Sequence, residues 1–98
     1  MGLYRYVGGG QTSIGDRGFD FVGQQGEFTE EQFLEVVLGG GVFIPEESFQ
    51  KIEISLEDLT RLQWYPENQP EPELASKIEQ ARSVFREIYA LARAGRMA

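Results

Sequence analysis

A stretch rich in proline and glutamate, Pro66-Glu67-Asn68-Gln69-Pro70-Glu71-Pro72-Glu73, divides this chain and limits what it can fold into. Proline fixes φ and carries no amide N–H, so a continuous helix or central strand does not run through such a segment. Before the break lies an acidic, glycine-punctuated unit; after it lies one long amphipathic helix, expected over about Glu73 to Ala94. The chain therefore reads as an α+β unit over residues 1–65, a hinge over 66–73 and a basic helix over 74–98.

Leu74, Ile78, Ala81, Phe85, Ile88 and Ala92 recur at spacings of 4, 3, 4, 3 and 4, the pattern of a heptad seam. Val84 and Leu91 widen one edge and Tyr89 the other, giving a stripe of roughly 160° when projected at the helical period. Such a stripe is too broad for a minimal two-stranded zipper and suits a groove or a multi-helix packing. Arg82, Arg86 and Arg93 share one flank. A helix of this composition is marginal alone in water, so the stripe needs cover from its own N-terminal unit, a second copy or another protein. Pro70 and Pro72 stiffen the hinge and hinder an immediate return, although docking on its own domain is the commonest fate of a terminal amphipathic helix.

The first 65 residues predict short elements. Leu3–Val7 and Phe19–Val22 read as strands, with Phe19 and Phe21 alternating onto one face. Thr29-Glu30-Glu31-Gln32 is a capping box, and Phe28 and Phe33 occupy the positions of a hydrophobic staple. The helix they open runs from Glu30 to Leu38 and stops at Gly39-Gly40-Gly41, where a left-handed cap is expected. Val42-Phe43-Ile44 reads as a buried strand or extended segment, Lys51–Ile54 as an alternating strand, and Ser55 to Leu62 as a second capped helix with Ile54 and Leu59 as its staple. The predicted class is α+β: a small, mostly antiparallel β unit with two short helices, followed by a long C-terminal amphipathic helix.

Charge follows the same division. Residues 1–73 carry 4 basic and 14 acidic side chains (4 − 14 = −10), and residues 74–98 carry 5 and 2 (5 − 2 = +3), for a net −7. With no cysteine and no histidine, disulfides, cysteine-type zinc sites and histidine catalysis are excluded. No apolar run reaches membrane-spanning length or forms a signal peptide, which predicts an intracellular protein with no membrane partner. Gly8-Gly9-Gly10-Gln11-Thr12-Ser13 lacks the Gly-Lys-Ser/Thr ending of a phosphate loop, and Gly39-Gly40-Gly41 follows a helix rather than a strand. Glu30/Glu31, Glu46/Glu47 and Glu57/Asp58 lack calcium-loop spacing. No catalytic residue, metal ligand, cofactor or small-molecule substrate is assigned. Arg82, Arg86, Tyr89 and Arg93 form a basic line containing an aromatic, but the acidic body argues against nucleic acid. Candidate partner-binding residues are Ile78, Arg82, Phe85, Arg86, Ile88, Leu91 and Arg93 on the helix, with Trp64 and Tyr65 beside the hinge as possible aromatic anchors.

From Phe19 to Phe49 the order is a short aromatic strand, a turn, a Thr-Glu-Glu-capped helix, glycines, a short apolar strand, then Pro45 and Phe49. With the Leu56–Leu62 helix, the spacer and the C-terminal helix, this resembles small phage- and prophage-encoded virion or head-region proteins. The resemblance implies a non-enzymatic structural protein present in many copies, a capsid cement or head–tail component. It would join larger structural subunits or further copies of itself and be virion-associated. The alternative expectation is an acidic regulator or inhibitor that occupies a basic nucleic-acid-binding site on a target enzyme, through Glu30, Glu31, Glu46 and Glu47.

Overall fold

The computed structural model describes residues 2–8, 11–64 and 71–97. The elements are β1 (Gly2–Tyr6), β2 (Thr12–Ile14), β3 (Arg17–Phe19), β4 (Gln25–Phe28), α1 (Glu30–Leu38), β5 (Phe43–Pro45), α2 (Glu46–Gln50), α3 (Leu56–Trp64) and α4 (Pro72–Met97). β1 lies between β4 and β5, antiparallel to both, and β2 and β3 form a separate hairpin. The fold is α+β with a long C-terminal helix, and the described residues contain three short helices rather than two. The hinge residues 66–70 and Tyr65 lie outside the described residues.

Local signals place α1 to the residue. The Thr29 hydroxyl accepts from the Gln32 N–H at 3.1 Å, and the Gln32 side chain accepts from the Thr29 N–H at 2.9 Å. Phe28 and Phe33 are both buried in one cluster, as a staple requires. At the other end, Gly40 takes φ +94°. Its N–H donates to the Val37 carbonyl, and the Gly41 N–H donates to Val36. This is the Schellman pairing, and it satisfies carbonyls that would otherwise be left open. Ser55 caps α3 through its hydroxyl, which accepts from the Asp58 N–H at 3.1 Å.

Neighbouring residues of a strand point to opposite faces, and this splits the core in two. Tyr6 and Phe43 enter an aromatic cluster with Phe19, Phe28, Phe33 and Val37. Within it, Phe43 meets Phe19 and Phe28 edge-on, with ring centroids 4.8 and 5.4 Å apart. Their sequence neighbours Val7 and Ile44 join an aliphatic cluster with Val22, Phe49, Leu74, Ile78 and Ala81. The helix α4 packs beside the edge strand β5, and Phe85 touches both clusters.

Several expectations change. The expected strand Phe19–Val22 ends at Phe19, which is fully buried while Phe21 is half-buried, so the two rings do not share a strand face. The chain turns there because Gly23 holds φ +95°, with its N–H on the Tyr6 carbonyl at 2.7 Å. The positive φ favours glycine here, and a Cβ would also have to displace the Leu59 side-chain end, 2.6 Å away. Lys51–Ile54 is not a strand: Glu53 adopts φ +59°, which costs a non-glycine residue about 1 kcal/mol. Ile52 and Ile54 still reach the aliphatic cluster. Strands β2 and β4 and helix α2 were not expected.

Candidate docking surfaces

The seven candidate residues on α4 do not lie on one surface. Ile78 is 6% exposed, inside the protein's own core with Leu74 and Ala81. Phe85 and Ile88 are half-buried against the body. Arg82 was expected to face a partner, but its Nε–H donates to the Val7 carbonyl at 2.9 Å. It thereby fastens α4 to the end of β1. Lys77 makes a second fastening through Nζ to the Glu53 carbonyl at 3.1 Å. The arginine flank is therefore divided by function, because one of its members already has a buried acceptor within the molecule. The basis for expecting Ile78 and Arg82 at an intermolecular contact was periodicity, which specifies a face and not what covers it.

Tyr89 also packs on the aromatic cluster, and Ala92 is half-buried, but between and beyond them the helix is open. Leu91 is 74% exposed, and Ala90, Arg93, Ala94 and Gly95 are exposed as well. Arg86 pairs with Glu79 two turns back along the same helix. That pairing is fully at the surface and holds the Glu79 carboxyl below its ordinary value, first through the hydrogen bond from Arg86. Trp64 closes α3, and Tyr65 is outside the described residues. What remains for a partner on α4 is Leu91 and Arg93, flanked by Arg86.

A second surface was not read from the sequence. A groove of about 680 Å³ opens between the start of β1, the first turns of α1 and the start of α2. Its apolar wall includes Leu3, Tyr4, Leu34 and Pro45, and Glu30, Glu46 and Glu47 stand along it. Leu3 and Leu34 are 43% and 38% exposed. The groove exists because β1 outruns β5: pairing on that side begins at Tyr4 opposite Pro45, where the chain turns into α2. Tyr4 stacks on Phe33 with centroids 4.0 Å apart, and burial, with the nearby Glu30 charge, raises its hydroxyl pKa.

Of the three glutamates, Glu46 is neutralised. Arg5 donates to it through Nε at 2.6 Å and Nη2 at 3.0 Å, while Nη1 donates to the Gly23 carbonyl at 2.6 Å. The Arg5 guanidinium also sits 4.9 Å from the Phe49 ring centre. The hydrogen bond from Arg5 is the largest cause holding the Glu46 carboxyl below its ordinary value, against the opposing effect of burial. Glu30 and Glu47 have no ion-pair partner among the described residues. The only sequence signal for this surface was the pair of carboxylates at each helix start, which α-helix dipoles explain equally well.

Among the described residues no cluster of three or more acidic side chains is placed to hold a metal ion, and no helix is long and apolar enough to cross a membrane. No protein-family model, curated protein or solved structure matches the chain.

Proposed function

We propose that this chain is a non-enzymatic assembly protein, a virion component of the capsid-cement or head–tail type, which attaches through the outer end of α4. The observation that supports this reading is the change along that helix: Ala81 is fully buried, whereas Leu91 is 74% exposed. An apolar side chain displayed near a helix end, with arginines beside it, suits an acidic protein surface with an apolar seat. The inner turns serve as the mount. They fix the outer end rigidly to the body, which lowers the entropy lost on attachment.

The regulator reading is weaker. It needs Glu30, Glu31, Glu46 and Glu47 to act together as a mimic of phosphates, and Glu46 is already engaged by Arg5. The test is co-sedimentation of the purified chain with phage particles assembled without it. Wild type should pellet with the particles and Leu91→Asp should stay in solution. A wild-type chain that remains in the supernatant, or a Leu91→Asp chain that binds equally well, contradicts the proposal.

A further inference from the structure

We infer that the Leu3/Leu34 groove is the seat for the outer end of α4 of a second copy, so that the chain associates head to tail. This inference rests on the assembly reading and supplies a partner for it. Four large apolar residues are exposed among the described ones: Leu3, Leu34, Leu56 and Leu91. Two of them lie together in one groove and a third lies on the outer end of α4. The groove carries glutamates, with Glu30 and Glu47 free of ion pairs among the described residues. Beyond Glu87 the sequence carries two arginines, Arg93 and Arg96, and no acidic residue. One surface is thus apolar with an acidic rim, and the other apolar with basic flanks.

No described side chain of α4 lines the groove, so each copy presents a tip and a seat at separate places. Joining tip to seat leaves one of each unfilled at the ends of a pair. Contacts of this kind close into rings or continue as filaments, according to the rotation between copies. A seat of this size takes a few side chains rather than a whole helix, which places the contact in the weak class. The net charge of −7 on each copy opposes association at long range. Pairing is therefore expected at high local concentration, as in a lattice built by larger subunits.

Sedimentation velocity of the wild-type chain up to about 1 mM, the range a weak contact requires, should show concentration-dependent growth beyond the monomer. Leu91→Asp and Leu34→Lys should each weaken association by at least about tenfold. Their equimolar mixture should form a dimer and nothing larger, because one intact tip then meets one intact seat. Glu47→Arg, at an exposed position, repeats the seat test if Leu34→Lys fails to fold. Pairing of Glu47→Arg should be restored by Arg93→Glu in the other copy. A wild-type chain that stays monomeric, seat variants that associate normally, or a mixture that stays monomeric each overturn the inference. Particle binding by a wild-type chain that stays monomeric up to that concentration would retain the assembly role while removing self-pairing.

Discussion

The inner and outer halves of α4 have the same composition in outline, apolar residues at helical spacing with basic residues beside them, and opposite fates. In the inner half, Leu74, Ile78 and Ala81 complete an aliphatic core, Lys77 and Arg82 donate to backbone carbonyls, and Phe85 joins the two clusters. In the outer half, Leu91 faces solvent and Arg93 is exposed. A helix of 26 residues is about 39 Å long, close to the 41 Å long dimension of the molecule. A continuous amphipathic stripe can therefore serve two purposes. Where the body covers it, it is structure; at Leu91 and Arg93 it is exposed surface.

That comparison predicts a gradient of mutational effects. Ile78→Ala removes a buried side chain from a closely packed cluster and should cost about 2–5 kcal/mol. A chemical-denaturation midpoint unchanged from wild type would place Ile78 outside the core. Arg82→Met keeps much of the side-chain stem and leaves the Val7 carbonyl without its donor, for about 1–2 kcal/mol. If it costs nothing, the fastening of α4 to β1 contributes no stability.

An acid titration with a Glu46 variant probes the ion pair that ties β1 to α2. The Glu46 carboxyl is held below its ordinary value in the folded state, chiefly by its hydrogen bond from Arg5. The stability it contributes is therefore complete above the unfolded value and is lost as pH falls through the folded one. Denaturant midpoints measured down through that range should fall, and Glu46→Gln should flatten this part of the profile. A profile identical in the two proteins would remove Glu46 from the account. The smallest effect is expected at the outer end: Leu91→Ala should change folding stability by less than about 0.5 kcal/mol. A loss comparable to that of Ile78→Ala would mean that the outer half is core as well.

The sequence was most legible where structure is made by neighbours. Thr29, Gln32, Phe28, Phe33 and the three glycines after Leu38 specify the start and stop of α1 by contacts within a few residues. It was less legible where pairing is non-local. Gln25-Gly26-Glu27-Phe28 has little strand character, and becomes β4 because β1 lies alongside it. Thr12–Ile14 is only three residues long, and is defined by its pairing across Gly15, whose φ of +63° suits a tight hairpin. Ile52 and Ile54 alternate as in a strand, but reach the core from an irregular segment turned by Glu53. The width and phase of the α4 stripe were also legible. Which of its turns are covered was not, because that depends on how far the body extends. The groove was invisible for the same reason, since it arises from β1 extending two residues past β5.

The division of α4 is tested most directly by amide hydrogen exchange along that helix in the dilute monomer. Amides from Ile78 to Phe85 should exchange only through global unfolding, and those beyond Leu91 should exchange much faster through local opening. Uniform protection along the whole helix would contradict the division by making the outer half part of the fold. Uniformly fast exchange would contradict it by detaching the helix from the body.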